Sequence, residues 1–297
     1  VFDDLIFLGQ TVFSIWGLRT SEGIILVDSI FDYSVEAEAI EGLRKLGIDP
    51  AEINKNVKVD VPVLGDCRES LTELTKQVHM NSHSKWLELF RKHDELEQET
   101  VIQGEICPTH GELKMGEVIE EINKATGGDA IMVTDVGQHQ MMACRYTRFN
   151  QSKSNITSGG LGTMGFCLPA ALGAKLGAPD RDVIAVIGDG GFQMTIQELG
   201  TIFQTRAAVK IVILNNSFLG MVRQWQQLFF DERYSSTELE NPDFVAIAQG
   251  YGIKGNSIME RSALPAAIET MMKHDGSYLV EVHVGKEDNV FPMVPSG

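Results

Sequence analysis

Short apolar runs separated by stretches of helical spacing organise the second half of the chain. "AIMVTD" (130–135), "VIAVIG" (183–188), "VKIVILNN" (209–216) and "YLVEVHV" (278–284) are rich in Val and Ile. Near-continuous apolar runs of this length suit parallel strands covered on both faces, whereas half-exposed strands alternate. Between them, "MGEVIEEINKAT" (115–126), "LPAALGAKLG" (168–177) and "TIQELGTIFQT" (195–205) place apolar residues at helical intervals. Two more helices are predicted around 244–251 and 263–274. "VGQHQ" (136–140) reads as a turn, and "TSGGLGTMGF" (157–166) as a glycine-rich connection. The alternation predicts an α/β fold: an open parallel sheet with helices on both faces. Ligands of such sheets sit beyond the carboxyl ends of the strands.

Before Leu113 the pattern is less regular. Residues 1–50 carry three short strand-like stretches, "LIFLG", "FSIWGLRT" and "GIILVDS", then a helical pattern in "YSVEAEAIEGLRKLGI" (33–48). Three strands and a helix are too little to close a core alone. Residues 51–80 begin with one candidate strand, "VKVDVPVLGD" (57–66), which its proline places at an edge or an end. The helix "RESLTELTKQV" (68–78) follows. Residues 81–112 hold a polar helix, "SKWLELFRKHDELEQE" (84–99), and a linker, "ICPTHGE" (106–112). The domain reading is therefore 1–50, 51–80, 81–112 and 113–297.

Charge and cysteine usage narrow the partners. With 25 basic against 41 acidic residues the formal charge is −16, which opposes a nucleic-acid partner, since such affinity is built from Lys and Arg contacts. Four cysteines, Cys67, Cys107, Cys144 and Cys167, are scattered without a CxxC pair. They suit reduced thiols in a cytoplasmic protein better than disulfides or structural zinc. No apolar run has the length of a membrane span. No signal peptide is evident, and the sequence begins at Val1, so it is read as a fragment.

Candidate chemistry gathers at two strand ends. Gly188-Asp189-Gly190-Gly191 closes one apolar run, and Asn215-Asn216 closes the next in sequence. The interval between them has the length of a right-handed βαβ crossover, so both sets emerge on one edge of the sheet. A carboxylate and an amide oxygen make a sparse oxygen set of the kind Mg²⁺ accepts when substrate phosphates complete its shell. The glycines let those phosphates approach the backbone. A Walker loop is absent. "GGLGTMG" (159–165) is set aside as a dinucleotide loop because no predicted strand directly precedes it. His79 and His83 in "HMNSH" have a spacing that can hold a metal on a helix, but no acidic residue lies between them.

The Gly-Asp-Gly to Asn-Asn pattern resembles the diphosphate-and-metal signature of thiamine diphosphate enzymes. Together with "TDVGQHQM" (134–141), "SGGLGTMGFCLPAALGAKLG" (158–177), "LNNSFLGMVRQWQ" (214–226), "NPDF" and "FPMVPSG", residues 49–297 resemble the C-terminal half of the acetolactate synthase large subunit. The resemblance implies that Asp189, Asn216 and the carbonyl of Phe218 ligate Mg²⁺. It implies that Val136, Gly137, Gln138, His139, Gly188, Gly190, Gly191 and Gly220 lie around thiamine diphosphate. Met164 would prop the cofactor in its bent form, the carbonyl of Gly162 would accept from its 4′-amino group, and Met221 and Trp225 would border the substrate entrance. Gln138 and His139 would also face the substrate. Met142 and Cys167 depart from the family, which commonly has Trp and Gly there.

The complete family enzyme joins pyruvate to a second 2-oxo acid, pyruvate again or 2-oxobutyrate, with loss of CO₂, early in branched-chain amino acid synthesis. It uses a glutamate on a separate pyrimidine-binding domain to activate the cofactor, and an FAD-binding middle domain. Residues 1–50 are too few for the former, and residues 51–80 resemble only the end of the latter. The resemblance thus implies a homo-oligomer, or a chain that supplies the missing domain. Residues 1–50 themselves resemble the first strands of a metallo-β-lactamase-fold protein, without its HxHxDH cluster. The alternatives to a synthase half-site are an inactive chimeric cofactor-binding module and a fragment of such a hydrolase.

Overall fold

The computed structural model describes residues 5–7, 16–20, 23–27, 66–79, 81–286 and 288–291, and the chain divides into two compact units, 1–87 and 88–297. In the first unit, β1 (Leu5–Phe7), β2 (Trp16–Thr20) and β3 (Gly23–Val27) form an antiparallel meander in chain order. These are the three strands predicted there. The helix predicted over 33–48 lies outside the described residues, as does the strand predicted from 57, except Asp66. Helix α1 (Cys67–Gln77) starts where Asp66 caps it, its carboxylate accepting from the N–H groups of Arg68 (2.9 Å) and Glu69 (3.1 Å). Helix α2 (Ser84–Glu97) crosses the unit boundary and continues through a π-helical turn, Gln98–Ile102, into α3 (Gln103–Ile106).

The second unit carries the predicted α/β architecture. In chain order its elements are α4 (Met115–Thr126), β4 (Ile131–Thr134), α5 (Gln138–Tyr146), β5 (Asn155–Thr157), α6 (Cys167–Gly177), β6 (Val183–Gly188), α7 (Asp189–Met194) and α8 (Glu198–Thr205). Then follow β7 (Val209–Asn215), α9 (Gly220–Phe229), α10 (Phe244–Gly250), β8 (Lys254–Ile258), α11 (Leu264–Lys273) and β9 (Tyr278–His283). All six strands are parallel, in the order β5-β4-β6-β7-β9-β8.

Alternate residues of the central strands feed two separate cores. On one face Ile184, Val186, Val212, Leu214 and Val280 pack with Val118, Ile119 and Ile122 of α4 and Ile268 and Met271 of α11. On the other, Ala185, Ile187, Ile211, Ile213 and Leu279 pack with Leu168 of α6, Ile202 of α8 and Phe244 of α10. Phe192 meets Phe244 edge-on at 5.3 Å. Burial on both faces is why these strands read as unbroken apolar runs.

Four local readings are corrected. "VGQHQ" is not a simple turn, because α5 begins at Gln138. Helix 195–205 begins only at Glu198, and a separate short helix starts at Asp189. Strand β8 and helix α9 were not predicted. The short β5 ends two residues before Gly159, so "GGLGTMG" does follow a strand. A dinucleotide reading still fails there: β4 stands between β5 and β6, so the strand after the loop does not put an acid beside it.

Candidate functional site

The chain order along the sheet reverses between β4 and β6: β5 lies outward from β4 on one side, while β6, β7 and β9 continue on the other. Such a switch point opens a crevice at the carboxyl edge. A cleft lies there, lined mostly by the residues that follow β4, β6 and β7.

His139 stands at the centre of the switch. A Cβ on Gly137 would come within 2.9 Å of its Cε1, and one on Gly188 within 2.9 Å of its Nδ1. The imidazole therefore fits only because both strand ends carry glycine there, and Gly137 also adopts φ +149°, a conformation glycine favours. Burial lowers the His139 pKa to about 4, so the ring is neutral near pH 7. Its Nε2 is buried with no hydrogen-bond partner among the described residues, although His139 lines the cleft. An orphaned polar atom at a cleft wall suits a ligand that carries polar atoms.

Asp189 opens α7 directly after β6 and is almost fully buried. Burial pushes its pKa up to about 6, against the pull of the Asn241 amide and of nearby backbone N–H groups. Asn241 Nδ2 donates to Asp189 Oδ2 at 2.7 Å. The two asparagines at the end of β7 take opposite directions. Asn215 turns toward Glu281, donating from Nδ2 to Oε1 at 2.7 Å. Asn216 lines the cleft, with Oδ1 accepting from Phe218 N–H at 3.1 Å and Nδ2 donating to Gln138 Oε1 at 3.4 Å. The segment after Asn216 pairs briefly with another: Leu219 N–H donates to the Thr237 carbonyl and Leu239 N–H to the Ser217 carbonyl. That pattern makes Phe218 and Glu238 a non-hydrogen-bonded pair, so the carbonyl of Phe218 faces away from residue 238.

One carboxylate, one amide oxygen and one backbone carbonyl form an all-oxygen donor set, which fits Mg²⁺ with positions left for phosphate oxygens. Glycine provides space beside it. A Cβ on Gly190 would meet Leu219 Cδ2 at 2.6 Å, with Met164 Cε at 3.8 Å, and one on Gly220 would meet Gln138 Oε1 at 2.1 Å. Gln138 is in turn held by Gln224 Oε1 and the carbonyl of Asp288, each at 2.9 Å.

The structure brings together Val136, Gly137, Gln138, His139, Met164, Gly188, Asp189, Gly190, Gly191, Asn216, Phe218, Gly220 and Met221 around this cleft. Gly162 and Trp225 are not among the residues that line it. Gly162 lies beside Val136 with φ +62°, and Trp225 packs on Phe229 at 4.7 Å. The departures Met142 and Cys167 are buried in the two cores, and neither lines the cleft. His79 and His83 lie on or beside helix ends in exposed positions, and no group of three metal-ligating side chains occurs among the described residues.

Sequence reasoning gave no role to Asp135 or Asn241. The buried Asp135 carboxylate accepts from the N–H groups of Gly165 and Cys167, both at 3.0 Å, tying β4 to the start of α6. Burial raises its pKa, and these donors oppose the rise. Asn241 lies in "NPDF", and Asp135 in "TDVGQHQM"; both motifs were visible, but only contact shows what these side chains do.

Residues 135–282 match the family described as thiamine pyrophosphate enzyme, C-terminal TPP binding domain. The chain is 40% identical over 254 residues to the acetolactate synthase large subunit of Lactococcus lactis, covering 85% of this chain and 43% of that protein. It is 39% identical over 253 residues to the isozyme 2 large subunit of Escherichia coli, covering 85% and 45%. The match to the large subunit of Corynebacterium glutamicum, at 37% identity, spans 97% of this chain and 48% of that one. The chain thus spans somewhat under half the length of these curated relatives. Among solved structures, the thiamine diphosphate-dependent 4-hydroxybenzoylformate decarboxylase of Rhodococcus jostii RHA1 is similar, with a TM-score of 0.56 and 28% identity. That match covers 61% of this chain and 34% of the decarboxylase.

Proposed function

Because residues 135–282 belong to the C-terminal TPP-binding domain family of thiamine pyrophosphate enzymes, we propose that the cleft at the ends of β4, β6 and β7 holds the diphosphate of thiamine diphosphate through Mg²⁺. The observation that carries this reading is the placement of Asp189 and Asn216 after two adjacent parallel strands, lining one cleft with Gly190 and Gly191 beside them. Asp189, the Asn216 amide oxygen and the Phe218 carbonyl would hold the cation. Gly188, Gly190 and Gly191 leave room for the phosphates, and the orphaned Nε2 of His139 gives them a polar neighbour. Gln138, fixed by Gln224, keeps the Asn216 amide in place. Thiamine diphosphate, when bound, supplies a nucleophilic carbon that adds to the carbonyl of a 2-oxo acid.

Similarity to acetolactate synthase large subunits supports the reaction of the whole protein: joining pyruvate to a second 2-oxo acid with loss of CO₂. Met164 and Met221, both on the cleft wall, would shape the apolar part of that site. FAD would belong to the middle part of the complete protein.

The test is thermal unfolding with and without Mg²⁺ plus thiamine diphosphate. Binding to the folded chain raises the melting temperature, and the rise grows with the logarithm of ligand excess. Asp189→Ala abolishes the rise; an equal rise in this variant refutes the assignment.

A further inference from the structure

We propose that Asn241 is a positioning residue for the cation site: it aims the Asp189 carboxylate and, through Asn215, sets the backbone that carries the other two donors. The proposal rests on the reading of Asp189 as a cation ligand.

Asn241 uses its amide in three directions. Its Nδ2 donates to Asp189 Oδ2 at 2.7 Å and to Asn215 Oδ1 at 3.0 Å, and its Oδ1 accepts from Gln193 Nε2 at 2.9 Å. Rotation of this side chain therefore breaks a bond to a buried carboxylate. With Oδ2 so occupied, no side-chain donor among the described residues reaches Asp189 Oδ1, and this is the oxygen the proposal gives to the cation.

Asn215 carries the constraint into the sheet. Its Oδ1 also accepts from Ser217 N–H at 3.0 Å, which holds Ser217 at φ +55°, a conformation costly for a residue with a side chain. Ser217 lies between Asn216 and Phe218, so this one turn orients both remaining donors. Asn215 Nδ2 is anchored on the buried Glu281 of β9. Glu281 lies 3.7 Å from His283 Nε2, which shares a 3.0 Å hydrogen bond with Ser257 of β8. The cation donors are thus braced by a connected set of polar side chains that reaches across β7 and β9 to the edge of the sheet.

Positioning and simple structural support make different predictions about ion choice. Mg²⁺ demands near-ideal octahedral geometry, whereas Ca²⁺ accepts irregular shells. Loosening the donors weakens Mg²⁺ more than Ca²⁺, while a general loss of structure weakens both alike.

The experiment titrates Mg²⁺, and separately Ca²⁺, into the full chain with excess thiamine diphosphate, followed by calorimetry. The proteins are wild type, Asp189→Ala, Asn241→Leu and Asn241→Ser, each first melted without cation. Asn241→Leu keeps the volume but removes the amide; Asn241→Ser gives the reading if the leucine variant does not melt cooperatively. The expected result is a loss of Mg²⁺ affinity of about 10–100-fold in the Asn241 variants, a smaller loss for Ca²⁺, and melting that stays cooperative but is lowered by the lost hydrogen bonds. Absence of Mg²⁺ binding to wild type, or unchanged binding to Asp189→Ala, overturns the cation reading itself. Loss in Asp189→Ala with unchanged Asn241 variants, or equal loss of both ions, overturns only the positioning role.

Discussion

His139 occupies a slot that two glycines leave open, and that makes the slot fragile in a predictable way. Gly188→Ala places a methyl 2.9 Å from the ring, and the imidazole or the strand end must move. A cost of about 1–3 kcal/mol is expected for such overpacking, measured by urea unfolding. The buried neutral ring also gives a pH signature. Its pKa is lowered to about 4 by burial, against an unfolded value near 6.5. Below pH 6.5 the unfolded chain takes up a proton that the folded ring refuses until about pH 4. The contribution to stability is therefore complete above pH 6.5 and is lost as pH falls through that window. Between pH 7 and 5 the loss is about 2 kcal/mol. His139→Phe should flatten the pH profile by that amount in urea titrations; parallel profiles would show that the folded ring titrates as it does in the unfolded chain.

At the scale of elements, legibility followed burial. Strands β4, β6 and β7 are buried along their whole length, so their apolar runs announced them. Strand β8, Lys254–Ile258, buries only Ile258 and contains Gly and Asn; it exists through its pairing with β9, which no local pattern encodes. Strand β5 is an edge of three residues with the same problem. Helix α9 was legible and was missed: Val222, Trp225 and Phe229 stand at helical spacing, although that face is exposed. The residues that line the cleft were legible where a motif carried them, down to the placement of Asp189 and Asn216 after adjacent strands. Their supports were not, since Asn241 reaches Asp189 across 52 positions of sequence. Asp135 shows what such a support is worth. Asp135→Ala orphans the buried N–H groups of Gly165 and Cys167, so a loss of about 2–4 kcal/mol is expected from two unmet donors. The check is chemical denaturation, with Asp135→Asn, which keeps an acceptor, losing less.

For the whole molecule, the decisive matter is which proton-transfer group faces the cleft. Its lining contains one carboxylate, Asp189, and one imidazole, His139. Asp189 is assigned to the cation, and the neutral, buried His139 is a poor acid near pH 7. No glutamate lines the cleft among the described residues, while the resemblance to acetolactate synthase calls for one from a pyrimidine-binding domain. Cofactor binding and turnover should therefore separate. The chain alone, saturated with Mg²⁺ and thiamine diphosphate, is expected to show the thermal shift yet consume pyruvate at no more than about a hundredth of the rate reached when a pyrimidine-binding domain is supplied, the scale of a missing general acid–base group. A pyruvate-consumption assay with and without that added domain decides the point. Comparable rates in both would mean that a group of this chain performs the proton transfer, and His139→Gln would then be the first variant to identify it.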